Sequence, residues 1–344
     1  MPSVKYAFIS AYLKGQEARL VTSAHIDSLQ GADTVQDALA AVRETDVGRY
    51  LEDLPVRSFD YLDESLWRYL AQSFAYIEWL RLTPRDVLKI LRAYVVKYDV
   101  LNIKAALEGI STGTKAPMLP IGVIHDNGYL DELSDAQDVN EIARVLVKCG
   151  LKDYVTPLDQ YNPDQPPKSK LLIQAGLQSR YYSNLLNTAG TVKDGPLLVQ
   201  AFGMIIDLAN LQIAWRAVTS GLENHAAELA VAGGYQLTDK SIRELLSLKM
   251  TEMPAHLRNT RYSTVAEEVL SNYERTGSIT SVDEIIDKHK LGMLREILSP
   301  RVLSPLVLLW YLVLKEVEMR NLRLAVKGIV DGVPAQEVKD YLVL

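Results

Sequence analysis

The sequence contains three copies of one helical motif, and this internal repetition limits the possible folds more than any other feature. The copies run from Asp99 to Gly113, from Asp207 to Gly221 and from Glu318 to Gly332. Each copy reads acid-x-x-Asn-[Ile/Leu]-[Lys/Gln/Arg]-x-Ala, followed by Ile or Val and then by Gly. Repetition at equal offsets predicts that the chain is built from three copies of one helical unit, and it argues against an enzyme with a single active site.

The spacing of the copies predicts where the units begin and end. The anchor asparagines Asn102, Asn210 and Asn321 are separated by about one third of the 344-residue chain. We therefore expect three helical repeat domains, which span residues 1–115, 116–230 and 231–344.

Each copy of the motif lies near the end of a long predicted helix. A proline at the first helical position begins each helix, in Thr83-Pro84, Gly195-Pro196 and Ser304-Pro305. The closing glycines Gly113, Gly221 and Gly332 are typical of a C-terminal stop. Shorter middle helices are predicted over residues 62–82, 170–186 and 285–298. The composition, which is rich in helix-forming residues, predicts an all-α protein with long central helices.

The motif places polar side chains on an apolar helix face. With the asparagine at 0° and about 100° per residue, the apolar positions fall between about 40° and 140°, and the acid at about 60°. A carboxylate on that face needs a partner, and we expect it to be the asparagine one turn away. We predict a structural packing motif rather than a ligand or ion site. Its residues are the acid, the asparagine and the polar residue two positions later in each copy: Asp99, Asn102, Lys104, Asp207, Asn210, Gln212, Glu318, Asn321 and Arg323.

Charge and cysteine content exclude several classes of function. The chain has 37 basic and 43 acidic residues and a net charge of −6, so we expect no nucleic-acid partner. The one cysteine, Cys149, precludes an intrachain disulfide and a cysteine-rich metal site, and its apolar helix predicts a buried packing role. The first residues lack a signal-peptide pattern, and Leu306 to Leu314 is too short to span a bilayer. We therefore expect a cytosolic chain without a membrane span.

No motif for catalysis or cofactor binding is found in the sequence. The segment from Gly109 to Lys115 superficially resembles a phosphate-binding loop, but it is one residue short and ends a helix instead of beginning one. The five histidines are scattered, and no metal-ligand spacing or nucleophile elbow occurs. We expect neither catalytic residues, nor a cofactor, nor a bound metal.

The third copy resembles a known family. Pro305-Leu306, Tyr311-Leu312 and the run from Lys315 to Arg323 are similar to the C-terminal signature of the C subunit of archaeal and bacterial V/A-type ATPases. That protein corresponds to the d subunit of the eukaryotic vacuolar pump. The run from Tyr98 to Lys104 resembles the first-repeat motif of the family, and the resemblance covers essentially the whole chain. The sequence departs from the family pattern at Tyr12 to Ala18, where a more basic segment is usual.

The resemblance implies a fold and a role. It implies a funnel of three pseudo-three-fold related helical domains, which sits on the cytoplasmic face of the membrane rotor ring and receives the end of the central axle. The chain would then be a non-catalytic, peripheral subunit that transmits torque between the ATP-driven head and a ring carrying protons or sodium ions. Its partners would be the axle subunits and the rotor ring.

Two other functions are compatible with a helical repeat protein. The first is a scaffold that grips a peptide or a helix of another soluble complex, but such scaffolds usually have many short repeats of about 35–45 residues. The second is an all-α enzyme with a central cavity, which would need converging acids or a metal-ligand set.

Overall fold

The protein is helical throughout the part of the chain that the structure describes. The structure, a computed structural model, describes residues 4–32, 34–52, 58–162, 166–220 and 229–343, and no residue in these ranges forms a β-strand. The helices in the first part are α1 (Ala7–Glu17), α2 (Ser23–Gln30), α3 (Val35–Ala41), α4 (Asp46–Glu52), α5 (Phe59–Trp79), α6 (Arg85–Thr112), α7 (Val123–Asp126), α8 (Leu130–Ser134) and α9 (Val139–Lys148).

The helices in the second part include two more of the long ones. They are α10 (Pro166–Gly190), α11 (Gly195–Ser220), α12 (Asp239–Leu246), α13 (Met253–Leu257), α14 (Ser263–Thr276), α15 (Val282–Leu298), α16 (Leu306–Asp331) and α17 (Ala335–Asp340). Single 3-10 turns occupy Val4–Tyr6, Lys152–Tyr154 and Thr156–Gln160. The prediction of an all-α fold with long central helices is confirmed.

The three long helices begin as the sequence predicts, and two of them end at their predicted glycine. They are α6, α11 and α16, with 28, 26 and 26 residues. Gly113 and Gly332 follow two of them with positive φ angles of 69° and 68°, the left-handed conformation that glycine adopts without strain. The third predicted stop, Gly221, lies outside the described residues. The middle helices α5, α10 and α15 match their predicted positions within a few residues at each end.

The chain forms two compact units. One comprises residues 1–91 and 287–344, and the other comprises residues 92–286. In the first unit, α16 packs against α1, α2, α3 and α5, and every residue from Leu306 to Val313 is buried. In the second unit, α10 packs along α11, which also contacts α12. The predicted domains 1–115, 116–230 and 231–344 remain a prediction.

Helix α11 is the most apolar of the long helices. Among the described residues, its segment Gly195–Thr219 is the one stretch long and apolar enough to cross a membrane, and 61% of its most apolar window is buried within the structure. The buried side chains Asp207 and Asn210 lie within this segment and hydrogen-bond to the protein backbone. Such internal polar contacts are typical of the core helix of a folded domain.

Candidate functional site: the repeated polar motif

The three anchor asparagines make the same contact. Each side chain forms two hydrogen bonds with the backbone of one residue in the segment that follows its helix. Asn102 Nδ2 donates to the Leu119 carbonyl at 3.0 Å, and the Leu119 amide donates to Asn102 Oδ1 at 2.7 Å. Both groups of Leu119 are thereby satisfied by one side chain. We call this pair of hydrogen bonds the asparagine clamp.

The other two copies repeat the clamp. Asn210 Nδ2 donates to the Val231 carbonyl at 2.8 Å, and the Val231 amide donates to Asn210 Oδ1 at 2.8 Å. In the third copy, the corresponding distances between Asn321 and Val343 are 2.6 Å and 3.1 Å. All three asparagines are buried, as the motif predicts. Each clamp ties the segment after a long helix back onto that helix.

Two of the three buried acids bind backbone amides that lie further along the chain. Asp99 accepts from the amides of Val123 at 2.9 Å and Ile124 at 2.8 Å, at the first turn of α7. The expectation that the acid pairs with its neighbouring asparagine is therefore wrong. The backbone N–H groups at the start of a helix lack intrahelical partners. They attract a carboxylate more strongly than the neutral side-chain amide of an asparagine does.

Asp207 makes the corresponding contact in the second copy. It accepts from the amides of Tyr235 at 3.0 Å, Gln236 at 2.7 Å and Leu237 at 3.3 Å, just before α12. The Tyr262 hydroxyl adds a further hydrogen bond of 2.6 Å. This carboxylate therefore fixes the entry to the next group of helices.

A glycine makes room for the carboxylate in both of these copies. A β-carbon at Gly122 would lie 2.6 Å from Oδ1 of Asp99, and one at Gly234 would lie 2.0 Å from Oδ1 of Asp207. Both distances are far shorter than a van der Waals contact, so only glycine allows the backbone to approach the acid.

The third acid, Glu318, hydrogen-bonds to a backbone amide near the other end of the chain. Glu318 accepts from the amide of Val21, just before α2, at 2.8 Å. Its second oxygen pairs with Lys315 Nζ at 2.9 Å, and both side chains are almost fully buried. The Lys315 ammonium also contacts the Tyr69 hydroxyl and lies 4.5 Å from the centre of that ring. The ion pair and the aromatic ring offset part of the cost of burying these charges.

The polar residue two positions after each asparagine reaches a middle helix. Lys104 Nζ lies 3.3 Å from Gln178 Oε1 on α10. Arg323 hydrogen-bonds to Asp63 on α5, and Gln212 hydrogen-bonds to Asp283 on α15. The structure therefore gives each of the nine predicted motif residues a polar partner.

Burial sets the protonation behaviour of the motif. It raises the pKa of Asp99 to about 7, although its two amide donors favour the charged form. Burial also raises the pKa of Asp207 and of Glu318, and it lowers the pKa of Lys104. In each acid both oxygens are held by donors of the chain itself. These shifts therefore come from burial within a structural contact, and the arrangement positions backbone segments.

The weaker candidates also have structural explanations. The segment from Gly109 to Lys115, which superficially resembles a phosphate-binding loop, does not begin a helix, because α6 ends within it at Thr112. Its lysine, Lys115, pairs with Asp135 at 2.7 Å. Cys149 is only half-buried at the end of α9, which corrects the prediction that it is a buried packing residue. Burial raises the pKa of its thiol, which lowers its reactivity. In the described ranges, no group of three or more His, Cys, Asp or Glu side chains could hold a metal ion.

Comparison with known proteins assigns the chain to a family. The family described as "ATP synthase (C/AC39) subunit" matches residues 9–341. The chain belongs to the ATP synthase (C/AC39) subunit family. Its relatives include the C subunit of the A-type ATP synthase of Methanocaldococcus jannaschii, which is 25% identical over 98% of this chain and 86% of the relative. The same subunit of Pyrococcus abyssi is 24% identical over 98% of this chain and 90% of the relative.

Membership of the C/AC39 family confirms the resemblance that the sequence predicts. The corresponding subunit of the A-type ATP synthase of Methanothermobacter thermautotrophicus, at 23% identity, aligns with 98% of this chain and 87% of the relative. As a C/AC39 protein, the chain is a subunit of a rotary, ion-transporting ATPase. Its partners are accordingly other subunits of a membrane-associated complex.

Several residues of the site were not predicted from the sequence. Val21, Leu119 and Tyr262 contribute through contacts between distant parts of the chain, and no local pattern marks them. The two glycines beside the acids were also missed. Gly122 occurs 23 residues after Asp99 and Gly234 occurs 27 residues after Asp207, and this similar but unequal spacing is the signal that could have identified them.

Proposed function

We propose that the chain is the non-catalytic central-stalk coupling subunit of a V/A-type rotary ATPase. In this role it links the central axle of the soluble ATP-hydrolysing or ATP-synthesising head to the membrane rotor ring and transmits torque for ion transport. It works at the cytoplasmic face of the membrane as a peripheral protein. Family membership supports the complex, and the order of the contacts made by the repeated motif supports the mechanical role.

The acids connect the predicted repeats in cyclic order. Asp99 of the first repeat binds amides of the second, and Asp207 of the second binds amides of the third. Glu318 of the third repeat binds the amide of Val21 in the first. This order is the one expected if the three domains 1–115, 116–230 and 231–344 surround a common axis. A funnel of three pseudo-equivalent domains would have such contacts.

The polar residue after each asparagine follows the same cyclic order. Its partners lie on α10 for the first copy, on α15 for the second and on α5 for the third. These are the middle helices of the second, third and first repeats. Two independent sets of side chains therefore support the same arrangement, although one set binds backbone amides and the other binds side chains.

The motif suits a part that must transmit torque without absorbing it. Each long helix extends about 40 Å at 1.5 Å per residue. Its asparagine clamp and its acid hold the following segments at two points one helical turn apart. Because the hydrogen bonds are buried, water does not compete for them, and bending the connection would leave polar groups unsatisfied. A stiff connection stores little of the torque as elastic strain.

Purification of the complex from its own cells tests the role. A tagged copy of the chain is isolated from mild-detergent extracts, with the tag alone as control, and the partners are identified by mass spectrometry. The proposal predicts recovery of the nucleotide-hydrolysing subunits together with a small, very hydrophobic ring protein. Recovery of the chain alone, or with unrelated soluble proteins, would favour a scaffold that grips a peptide or helix.

Calorimetry tests the absence of catalytic chemistry. The isolated chain is expected to bind ATP and divalent metal ions only weakly, because the buried acids of the motif are held by donors of the chain. Titration with Mg-ATP should give no stoichiometric heat signal. A saturable signal with one ATP per chain would contradict the non-catalytic assignment.

A further inference from the structure

Helix α1 has an apolar face that is directed to solvent. Its buried face carries Ile9 and Leu13. On the opposite side, Phe8, Ala11 and Gly15 are exposed. They lie on one face of the helix, because they occupy positions i, i+3 and i+7. A surface helix normally carries polar residues on its outer face.

Aromatic side chains of α5 extend this apolar stripe. The ring of Tyr12 on α1 lies 5.5 Å from that of Tyr76 on α5, and the ring of Tyr76 lies 5.7 Å from that of Trp79. Trp79 is 75% exposed and Phe8 is 44% exposed. We define the α1–α5 surface by the residues that form this contiguous patch: Phe8, Ala11, Tyr12, Gly15, Tyr76 and Trp79.

Packing among the described residues does not explain why position 15 is a glycine. Gly15 lies inside α1, where glycine destabilises a helix relative to alanine. A β-carbon at this position would meet no atom within 4 Å, so no neighbour in the chain requires its absence. Small residues on an exposed helix face allow the backbone of a second helix to approach closely.

Two exposed arginines follow Trp79 of the α1–α5 surface in the sequence. Arg81 and Arg85, in and after the turn that follows Trp79, are exposed and form no ion pair with any residue that the structure describes. Lys5 pairs with Asp86 at 3.0 Å, so this pair adds no net charge. Aromatic and arginine side chains around an apolar centre are typical of the energetically dominant part of protein interfaces.

We propose that the α1–α5 surface binds an α-helix of another subunit of the complex, one that is apolar along one face and carries carboxylates beside that face. The small residues Ala11 and Gly15 receive the apolar face of that helix, and the exposed arginines face its carboxylates. A small residue permits close approach by a helix backbone, whereas binding to a bilayer would favour a larger apolar side chain. This inference rests on the proposed function only in that the partner belongs to the rotary ATPase.

Retention of the chain in the complex tests the proposal. The complex is purified through a tag on a nucleotide-hydrolysing subunit, and the amount of this chain retained is measured as the salt concentration is raised. Absence of the unaltered chain would contradict the proposed function itself, before any variant is considered. Trp79→Ala and Phe8→Ala are expected to weaken retention by about tenfold or more. Val147→Ala, at a similarly exposed position of α9, should leave it unchanged.

Gly15→Ala separates docking from folding. Alanine favours the helix and meets no neighbour in the chain, so the isolated Gly15→Ala protein should unfold at a higher temperature. The same methyl group would obstruct a closely packed helix, so retention in the complex should fall. Retention of all three variants at the level of the unaltered chain would overturn the proposal.

A photo-reactive side chain identifies the partner. Benzoylphenylalanine in place of Phe8 is irradiated in the purified complex, and the product is mapped by mass spectrometry. A cross-link to an apolar helical segment of another subunit is the expected result. A cross-link only to lipid, only to a second copy of this chain, or to nothing would overturn the assignment of the partner.

Discussion

Replacing Asn210 by leucine removes one asparagine clamp and leaves the shape of the side chain similar. Both hydrogen bonds to Val231 are lost, and its amide and carbonyl groups, which are buried, no longer have these partners. Each buried polar group left without a partner costs about 1–3 kcal/mol. The leucine regains part of this through its apolar surface. We therefore expect Asn210→Leu to lower the free energy of unfolding by roughly 2–4 kcal/mol.

The acid one turn away is not part of this cost. Asp207 keeps its amide and tyrosine donors in the variant, because none of them comes from Asn210. The loss therefore reports on the clamp and not on a stranded carboxylate. For 344 residues, the entropy of unfolding is about 0.7 kcal/mol per K if the chain unfolds as a whole, so the midpoint should fall by about 3–6 °C.

Thermal and urea unfolding followed by circular dichroism measure the effect. Asn140→Leu is a matched control, because Asn140 is an exposed helical asparagine on α9, and its free energy of unfolding should change by less than about 0.5 kcal/mol. If Asn210→Leu unfolds at the same midpoint as the unaltered protein, the clamp contributes nothing and the reasoning is refuted.

Three further variants test other parts of the motif. Gly234→Ala should destabilise the protein by about 1–3 kcal/mol, because the added methyl group collides with the carboxylate of Asp207. Gly190→Ala is the control, since the space around Gly190 is open, and equal unfolding midpoints of the two variants would refute this prediction. Gln178→Glu should raise the free energy of unfolding by about 0.5–1.5 kcal/mol at pH 7 by pairing with Lys104, and a lower midpoint would contradict it. Burial raises the pKa of Asp99 to about 7, from about 4 in the unfolded chain. The contribution of Asp99 to the free energy of unfolding therefore falls as the pH rises from about 4 to about 7. The stability difference between the unaltered protein and Asp99→Asn should therefore change between pH 4 and pH 7, and a constant difference would contradict the raised pKa.

The sequence predicted local features of the fold well. Proline at the start and glycine at the end of a long helix act within a few residues, and the bounds of α6 and α16 and the start of α11 followed from them. Burial of the asparagines also followed from the helical periodicity, since the face of a helix depends only on residue spacing.

The partners of the polar residues did not follow from the sequence. The nearest polar neighbour of Asp207 along the helix is Asn210, but its actual partners lie about thirty residues further on. Helix spacing shows which side chains are able to meet on one helix, and it contains no information about which distant amides a fold brings to them. The hydrogen bond from the Val21 amide to Glu318 is the clearest case, since the two residues lie near opposite ends of the sequence.

The exposed face of α1 was also not predicted. The sequence shows Phe8, Ala11 and Gly15 at helical spacing, but the same spacing would describe a buried face. Only the positions of Ile9 and Leu13 in the core show that the other side of the helix is directed to solvent.

Rotation of this subunit within the working complex tests the central claim most directly. A single cysteine is introduced by Lys240→Cys, at a highly exposed side chain, in a Cys149→Ser background, and it carries a gold particle while the head of the complex is fixed to glass. The coupling role predicts continuous rotation in one direction when ATP is added, at the rate of the axle. A stationary particle on complexes that hydrolyse ATP and turn their axle would contradict it.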